Sequence, residues 1–503
     1  GLQDTMAANV SAEEILSAVD AVQEEAIDFL KSIVSIDSTL EKGEGEVQGV
    51  IYDHLIRVLG AAHAKTNKQS TDDVAVSSKR KRNSNFEMQR IPVQLDKIQD
   101  QRGFSPVDWK YDDDQKFDVV ARYIGDSDGD DEQHRALLLQ GHVDVVPAAE
   151  SDGWTHPPFS PIVKDGRLYG RGSGDMKAGV VAMIYAVVAL RRGGYLPKGS
   201  LTLCTVIEEE CTGNGALAAP LETLVPMSAN ARTQTAVIIP EPFPFIVTAQ
   251  LGVLWFRASV TGKPCHVLQT SAGSNAIEGA YALYSALKAL EERYNEPKGN
   301  AHPAYRGMDH PVNFNLGKIE GGNWASSVPS SCWFEARVGF FPGMTIEDIK
   351  RDVESILHEA ATKMELGLEI SYRGFHADGA VLLSECMDGK GGVGDDSSQT
   401  KEELLQREFV KTIQTCHGLA SSSNPGISTA SELELRPITC TCDARFYSSL
   451  YQDPTKVVVT CLGPEATNIH GVDESVSLKS MRDMTATMAL FIRDWCGLVK
   501  END

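Results

Sequence analysis

Basic residues are scarce in this 503-residue chain, where 47 Lys and Arg stand against 70 Asp and Glu and the formal net charge is −23. Proteins that bind nucleic acid use Lys and Arg to neutralise phosphates, so this balance argues against a nucleic-acid partner. Part of the acidic excess is available as metal ligands, although most of it must lie on the solvated surface.

Long apolar runs and ordered cysteine motifs are also lacking. No run of 18 apolar residues predicts a membrane span, and residues 1–30 lack the apolar core of a signal peptide. The ten cysteines show no repeated C-x-x-C spacing, so we interpret them as mostly reduced thiols. We therefore expect a cytoplasmic protein without a membrane partner. Cys440 and Cys442 alternate along an apparent strand, which predicts two small core residues on one face.

Two polar segments, 64–87 and 386–402, show no periodicity. The first contains KRKR, which is either a nuclear-import signal or part of a solvated loop, and we favour the loop. The second is rich in Gly, Asp and Ser and predicts a loop as well. Their roles are not evident from the sequence.

The spacing of apolar residues predicts at least two domains. Residues 1–250 alternate strands and helices as in an α/β domain with a mostly parallel sheet. Residues 251–373 predict an inserted, smaller α+β domain with its own antiparallel sheet, and 374–503 return to the first domain. Within these, we predict helices over 11–36, with Ser11 and Glu14 as a capping box, and over 47–63, 177–194, 274–295 and 345–363. Strands are predicted over 117–124, 136–147, 201–207, 235–239, 252–262, 312–320, 331–340, 367–372 and 455–463.

Five segments place His, Asp or Glu at the ends of apolar strands, where open α/β sheets hold their sites. They are LLLQGHVDVVP with His142 and Asp144, GRGSGDMKAG with Asp175, VIEEECTGNGA with glutamates 208–210, VIIPEPFP with Glu241, and PEATNIHGVDES with His470. Each alone has an ordinary explanation, because a lone buried His is usually a core residue and an acidic triplet usually starts an exposed helix. GRGSG lacks the Lys-Ser/Thr ending of a phosphate-binding loop.

Taken together, the five segments favour a metal site, because burying several carboxylates side by side is prohibitive unless cations compensate. Two His and three or four carboxylates without a thiolate are the ligand set of a two-metal hydrolytic centre. Zinc is the leading candidate, with cobalt or manganese as substitutes. Asp144 follows His142 by two residues and so shares its strand face, from which it can orient the imidazole.

In this order, GHVDVVP, DGWTHPPFSPIVKDGRLYGRGSGDMKAG and EEECTGNGA resemble the zinc amidohydrolase family of acetylornithine deacetylase, succinyl-diaminopimelate desuccinylase, aminoacylase and glutamate carboxypeptidase. The resemblance is closest to the acetylornithine deacetylase-like deacylases. It runs from about residue 15 to 496 and leaves out the two polar segments. It implies two zinc ions per chain, bridged by one carboxylate. The implied ligands are His142 and Glu241 for one ion, Glu210 and His470 for the other, and Asp175 between them.

The resemblance also implies that Asp144 steadies His142 and that Glu209 is the general base. The register within EEE rests on Gly215, since the family places its metal-binding Glu five residues before that Gly, and a slip of one would reassign Glu208 and Glu209. The chemistry suits these residue types, because water held between two metals loses a proton near neutral pH. A neighbouring carboxylate can then accept that proton and pass it to the leaving amine.

The inserted domain adds candidates that face the substrate. TGKPCHV is similar to the family's lid segment, whose His reaches an active site, often across a dimer, so the resemblance implies that His266 is an oxyanion donor and that the chain forms a homodimer. Without the resemblance, His266 would be interpreted as a surface residue. Arg337, in a second lid segment, would bind a substrate carboxylate through a bidentate fork.

Three further positions concern the cleft. Ser326 stands where many members of the family have Asn, which indicates a different acyl or carboxylate pocket. Asn275 in SAGSNAI is expected to shape the same cleft. Asp443 in TCDARFY matches a family position that we interpret as structural.

The leading hypothesis is an amidohydrolase that removes an N-acyl group from a small amino acid or a related compound. A dipeptidase or carboxypeptidase is an alternative, because the same centre cleaves peptide bonds. A deacylase acting on an amine outside amino-acid metabolism, an amide-forming enzyme and a non-catalytic scaffold also stay open. A scaffold predicts eroded ligand positions, whereas every ligand position here is filled.

Overall fold

The computed structural model describes residues 10–60, 86–125, 135–148, 150–228, 233–384, 400–422, 433–449 and 455–501. Most of the polar segments 64–87 and 386–402, including KRKR, lies outside the described residues.

Each of the five predicted helical ranges contains helical residues, and five further α-helices lie outside those ranges in the part of the chain that the structure describes. Their bounds are α1 (Ala12–Asp20), α2 (Gln23–Val34), α3 (Gly45–Leu59), α4 (Leu95–Ile98), α5 (Ala178–Arg192), α6 (Asn214–Ser228), α7 (Ala276–Tyr294), α8 (Ile346–Lys363), α9 (Lys401–Ser421), α10 (Ala444–Ser449) and α11 (Leu478–Phe491).

The strands are short and form several sheets. Their bounds are β1 (Glu87–Pro92), β2 (Phe117–Tyr123), β3 (Arg135–His142), β4 (Ile162–Lys164), β5 (Arg167–Tyr169), β6 (Tyr195–Pro197), β7 (Leu201–Val206), β8 (Gln234–Ile239), β9 (Ile246–Gln250), β10 (Gly252–Thr261), β11 (Phe314–Gly321), β12 (Ser331–Phe340), β13 (Gly367–Ser371), β14 (His376–Ala377), β15 (Ala380–Val381), β16 (Leu435–Ile438), β17 (Val457–Cys461), β18 (Ala466–Thr467), β19 (Ser475–Ser477) and β20 (Leu498–Lys500).

The first predicted helix, over 11–36, is two helices, because α1 ends at Asp20 and α2 begins at Gln23. Both pack against α5. The predicted capping box is present: the Glu14 backbone N–H donates to Ser11 Oγ at 3.2 Å, and the Ser11 N–H donates to Glu14 Oε2 at 2.9 Å. The cap therefore fixes where α1 begins.

A six-stranded mixed sheet in the order β1-β2-β7-β3-β8-β17 forms the centre of the larger part of the chain. β7, β3, β8 and β17 run parallel, and at one edge β2 pairs antiparallel with both β7 and β1. β3 is buried at every residue after Arg135, which explains its nearly continuous apolar sequence. The predicted α/β class with a mostly parallel sheet is confirmed.

Helix α5 is buried along almost its whole length, from Ala178 to Leu190. With the turn that precedes it, it forms a helix over Ser173–Arg192 that is long and apolar enough to cross a membrane, but 94% of that window is buried inside the protein. Its small and aliphatic residues pack against α1, α2 and α11. An all-round apolar helix of this kind is a core helix.

Between Gly252 and Ala377 the chain builds a second, antiparallel sheet in the order β11-β12-β10-β13, with β14 also paired to β10. Alternate residues of β12 are buried in a core shared with α7 and α8. Arg337 belongs to the other set of alternating residues, so it lies on the face that α7 and α8 do not cover. The predicted domain limits at residues 251 and 373 stay predictions.

A small sheet in the order β18-β19-β5-β4 joins the later part of the chain to the middle. β19 pairs with β5 through Val476 and Leu168. The loop between β18 and β19 carries His470, and the segment after β5 leads to Asp175. This sheet therefore brings two predicted ligands to the same place.

The prediction that Cys440 and Cys442 lie on one strand is wrong, because β16 ends at Ile438 and both cysteines follow it in a loop. Cys442 is buried, and its Sγ lies 3.1 Å from Cys461 Sγ, well beyond the ~2.05 Å of a disulfide. The nine cysteines among the described residues are free thiols.

The close approach of α5 to Pro240 yields a test with two glycine-to-alanine changes. A Cβ on Gly179 would lie 2.0 Å from the Pro240 carbonyl oxygen, whereas the nearest atom to a Cβ on Gly49, within α3, is 3.9 Å away. Gly179→Ala should destabilise the fold by about 1–3 kcal/mol, because the backbone must shift. Gly49→Ala should stabilise it by about 0.4–1 kcal/mol. Urea unfolding measures both changes in stability. Equal unfolding midpoints for the two variants would contradict the close packing of Gly179 against Pro240.

Candidate metal centre

His142 is the last residue of β3, in the middle of the central sheet, and its side chain is fully buried. Its Nε2 lies 3.1 Å from Asp175 Oδ1, 3.8 Å from Glu241 Oε2 and 3.9 Å from Glu209 Oε2. Because β7 and β8 run parallel to β3 on either side, the segments that follow these strands meet at one edge. Three of the predicted polar segments therefore converge on this imidazole.

Asp144 lies beyond the end of β3, so the strand predicted over 136–147 is too long. His142 Nδ1 is 3.0 Å from the Asp144 backbone oxygen and 3.4 Å from its carboxylate Oδ1. The carboxylate also accepts the backbone N–H groups of Glu209 and Glu210, at 3.0 and 2.9 Å. Asp144 thus contacts the imidazole and also fixes the turn that carries two glutamates.

Asp175 lies in the turn between β5 and α5, where Gly172 has a φ of +77° and Gly174 packs closely against Ala466. Its Oδ1 is 3.1 Å from His142 Nε2, and its Oδ2 is 3.4 Å from His470 Nε2. One oxygen of the carboxylate therefore faces each imidazole, which is the arrangement of a bridging ligand.

A buried ion pair holds the Asp175 turn and the His470 loop together. Glu474 Oε1 accepts the backbone N–H groups of Gly174 and Asp175 at 2.9 and 3.0 Å. Its Oε2 pairs with Arg171 Nη1 at 2.5 Å, and Arg171 Nη2 donates to the His470 carbonyl oxygen at 3.2 Å. Sequence reasoning missed this pair, although both residues stand within or next to the segments that it singled out.

Glu210 faces the second imidazole: its Oε1 lies 3.0 Å from His470 Nε2. His470 has a φ of +62° in its loop, and its side chain is 48% exposed, so this side of the centre is open to solvent. Glu209 faces His142 instead, and its side chain is nearly buried.

Glu208, the first residue of the acidic triplet, points away from both histidines. Its carboxylate accepts hydrogen bonds from Trp109, Tyr111 and Thr212 and pairs with Lys116. In this arrangement Glu209 and Glu210, not Glu208, lie at the centre. Which of them acts as a base stays a prediction.

Two groups of potential ligand atoms emerge, each with all atoms within 4.8 Å of one another. One consists of His142, Asp175 and Glu241, the other of Asp175, Glu210 and His470. Glu241 Oε1 is buried and has no hydrogen-bond partner among the described residues, a costly state for a carboxylate oxygen unless a cation binds it. Nitrogen and oxygen donors without thiolates suit Zn²⁺, Co²⁺ and Mn²⁺. The residues present therefore fit two metal ions that share Asp175.

The electrostatics of the centre also favour cations. Burial raises the pKa values of Glu209, Glu210 and Glu241. The Glu210 carboxylate raises the pKa of His470 to about 11, and Glu241, together with Asp144 and Asp175, outweighs burial in raising the pKa of His142. When all four carboxylates of the centre are ionised, their negative charge exceeds the positive charge of the two imidazolium groups, and divalent cations would balance the excess.

The candidates of the insert that were predicted to face the substrate are His266, Ser326, Asn275 and Arg337. His266 is exposed, and its Nδ1 accepts the Leu268 N–H at 3.2 Å. It forms an isolated β-bridge with Ser327, which brings it close to the exposed Ser326. Within the described residues, no hydrogen bond or ion pair joins His266 to either ligand group.

Asn275 caps α7: its Oδ1 accepts the N–H groups of Ile277 and Glu278 at 3.0 and 3.3 Å. The cap explains an Asn at this position without a substrate, and its predicted role in the cleft is untested. Asp443 is fully buried and accepts a bond from Gln140 Nε2 at 2.8 Å, and burial raises its pKa to about 6.

Arg337 donates from Nη1 to the Asn313 carbonyl oxygen at 3.1 Å. It has no carboxylate partner among the described residues, whereas Arg257, on the paired strand, binds Glu335. Burial lowers the pKa of Arg337. A half-buried guanidinium in this state is suited to an acidic ligand.

Asp144→Asn tests the role of Asp144. An amide can accept through only one of its two atoms, so one of the N–H groups of Glu209 and Glu210 would lose its acceptor, at a cost of about 1–3 kcal/mol. Metal affinity should fall roughly 10–100-fold, as for other residues that orient ligands. Urea unfolding and competition titration with a chelating dye measure the two effects. Asp28→Asn, on an exposed face, is the control, and an Asp144→Asn protein that behaves like it would contradict this role.

Comparison with known proteins identifies the family of the chain. The sequence profile of Peptidase family M20/M25/M40 matches residues 138–494. A succinyl-diaminopimelate desuccinylase from Marinobacter nauticus is 27% identical over 351 residues, which cover 69% of this chain and 79% of that protein.

Solved structures show the same fold. Human carnosine dipeptidase 1 superposes with a TM-score of 0.64 at 16% identity, covering 96% of this chain and 99% of that one. A dinuclear metal-binding peptidase of family M20 from Bacillus subtilis superposes with a TM-score of 0.50 at 12% identity, covering 95% of this chain and 99% of that one. The profile match spans most of the chain, including His142, Asp175, Glu210, Glu241 and His470, and so the chain belongs to Peptidase family M20/M25/M40.

Proposed function

We propose that this member of the family is a two-metal amidohydrolase that removes the acyl group from a small N-acyl amino acid. The observation that carries the proposal is the pair of ligand groups that share Asp175, with an unpartnered Glu241 oxygen in one of them. Zn²⁺ is the proposed metal, two per chain, with Co²⁺ or Mn²⁺ as substitutes. When bound, the ions supply Lewis-acid activation of water and of the amide carbonyl.

Glu209 is the proposed general base. It is buried beside His142, and it belongs to neither ligand group, so its carboxylate is available for a proton. The backbone N–H of Glu209 is held by Asp144, which limits the movement of the side chain. A positioned carboxylate that takes a proton from water and returns it to the leaving amine contributes roughly 10²–10⁴ in rate.

Arg337 is the proposed binding residue for the substrate carboxylate. Its guanidinium lacks an acidic partner among the described residues and lies on the face of the second sheet that the helices leave uncovered. The desuccinylase relatives are named for the removal of an acyl group from an amino acid, which supports this substrate class. Ser326 and Asn275 are proposed to shape the acyl end of the cleft.

His266 is proposed as an oxyanion donor supplied across a homodimer. His266 is exposed, and within the described residues it makes no hydrogen bond or ion pair with the ligand groups of its own chain. Both observations fit a residue that serves the site of a second copy. The edge strand β11, which is largely exposed after Phe314, is the proposed contact. A cytoplasmic location stays a prediction from the sequence.

A dipeptidase is the second candidate, since a dipeptide presents an amide bond and a carboxylate in similar places. A panel of N-acetyl, N-formyl, N-succinyl and longer N-acyl amino acids, tested beside dipeptides, separates the two. Release of amine only from N-acyl amino acids supports the deacylase, and release only from dipeptides overturns it. Chelator-treated enzyme should lose activity and regain it with Zn²⁺.

Glu209→Gln tests the base. We expect kcat to fall roughly 10²–10⁴-fold, because the amide cannot accept the proton. Metal content should stay unchanged, because Glu209 is in neither ligand group. Steady-state kinetics and atomic absorption measure the two quantities, with the exposed Glu359→Gln as a control. Loss of one metal ion from Glu209→Gln would instead make this residue a ligand.

Arg337→Met tests the carboxylate site. We expect KM for N-acyl amino acids to rise by roughly 10–100-fold, since a charge-assisted bidentate pair contributes about 1.5–3 kcal/mol. Substrates whose carboxylate is converted to an amide should be turned over poorly by both the unaltered protein and Arg337→Met. For these substrates the difference in KM between the two proteins should be smaller. Arg306→Met, at an exposed position of the same insert, is the control. An unchanged KM would place the carboxylate elsewhere.

A further inference from the structure

The carboxylate of Glu208 is fully buried next to the proposed base, yet four donors satisfy it. Oε1 accepts from Trp109 Nε1 at 2.9 Å and pairs with Lys116 Nζ at 2.7 Å. Oε2 accepts from the Tyr111 hydroxyl and from Thr212 Oγ1, the latter at 2.9 Å. A carboxylate bonded in this way is fixed in position rather than free to bind a ligand.

The backbone around Glu208 is held just as firmly. Its φ is +60°, a conformation that a non-glycine residue adopts only when its surroundings enforce it. The Glu208 carbonyl oxygen accepts the N–H groups of Gly213 at 2.7 Å and Thr212 at 3.0 Å. Because Glu209 and Glu210 follow directly, the position of Glu208 decides where their side chains begin.

Trp109 and Tyr111 belong to residues 102–111, which we call the linking segment. This segment lies between the turn that carries the glutamates, residues 207–215, and the second sheet. On the side of the turn, Ser105 Oγ donates to the Thr212 carbonyl oxygen at 2.8 Å. The Ser105 N–H donates to Asn214 Oδ1 at 3.1 Å, and Asn214 Nδ2 returns a bond to the Ser105 carbonyl oxygen at 2.9 Å.

On its other side the linking segment contacts the end of the second sheet. The Gly374 N–H donates to the Pro106 carbonyl oxygen at 2.8 Å, and the His376 N–H donates to Ser105 Oγ at 3.1 Å. Asp108 pairs with Arg373. Arg373 also reaches Glu335 on β12, two residues before Arg337.

The linking segment precedes the part of the chain that the family profile matches, which begins at residue 138. The buried hydroxyl of Ser105 accepts from His376, on β14 of the second sheet, and donates to Thr212, in the turn that follows the glutamates. The two proposed ends of the substrate site, Arg337 and Glu209, are thus connected through one short stretch of chain.

We propose that Trp109 and Tyr111 are positioning residues, which set Glu209 and Glu210 through Glu208, and that the linking segment couples this turn to the sheet that carries Arg337. The proposal rests on the proposed function for the roles of Glu209 and Glu210. The positioning itself concerns the protein alone and can be measured without turnover.

The first test is Tyr111→Phe in the full chain, with Tyr185→Phe as the matched control. Both changes remove one buried hydroxyl, but Tyr185 donates to the Glu25 carbonyl oxygen at 3.2 Å, in contact with α2 and α3 rather than with the turn. In hydrogen–deuterium exchange, Tyr111→Phe should accelerate exchange of peptides that cover residues 207–215 by roughly tenfold or more. Tyr185→Phe should leave those peptides unchanged.

Metal titration and kinetics supply the second readout. With Co²⁺ or Zn²⁺, Tyr111→Phe should weaken one of two binding steps by roughly 10–100-fold, because only one ligand group contains Glu210. Its kcat should fall about tenfold or more with little change in KM. Equal exchange, affinity and kcat in Tyr111→Phe and Tyr185→Phe would overturn the proposal.

Ser105→Ala tests the coupling and guards against a misfolded Tyr111 variant. It should accelerate exchange both in residues 207–215 and in residues 373–378, since the hydroxyl bonds to both. Acceleration of neither stretch would overturn the coupling. If no substrate of the panel is cleaved, or no metal binds the unaltered protein, the proposed function fails, while the exchange results still decide whether the linking segment positions the turn.

Discussion

The structure depends on the compensation of buried negative charge at one edge of a parallel sheet. Asp175, Glu209, Glu210 and Glu241 converge there with two imidazoles, and most of these side chains are withdrawn from water. Parallel strands place their following segments side by side, which makes the convergence geometrically simple. Bringing like charges together in this way is costly, and divalent cations that accept nitrogen and oxygen ligands would balance it.

The acidic residues around the centre divide into two kinds by what their oxygens contact. Asp144, Glu208 and Glu474 accept hydrogen bonds from backbone or side-chain donors of the protein and are satisfied within it. Glu241 leaves one buried oxygen without a partner. The satisfied carboxylates fix the backbone segments that carry the others. Residue type alone does not distinguish these two kinds of carboxylate, because the difference lies in the donors that surround each one.

Much of this arrangement is visible in the sequence because it is local. The five polar segments end or follow apolar strands, and the order of their motifs resembles one family, so the family, the α/β fold and a set of candidate ligands follow without coordinates. What the sequence does not reveal are contacts between distant segments. Arg171 with Glu474, and Tyr111 with Glu208, meet only after the sheets form, and no periodicity marks them.

Two of the differences between prediction and structure have local causes. Asp144 was expected on the strand because apolar residues continue past His142, but the chain leaves the sheet there to contact the glutamate turn. Cys440 and Cys442 alternate with threonines like strand residues, yet β16 ends before them. Alternation of small residues describes a strand and an ordered loop equally well, so tertiary contacts decide between them.

The wide separation of His142 and His470 along the chain has a consequence for protein synthesis. The ligand group of His142, Asp175 and Glu241 is complete once the ribosome has made the first half of the chain, whereas the group with His470 requires β18 and β19, which are made much later. The central sheet likewise waits for β17 to pair with β8. A growing chain therefore completes the group with Glu241 first, and the candidate centre with both ligand groups can assemble only after β18 and β19 have been made.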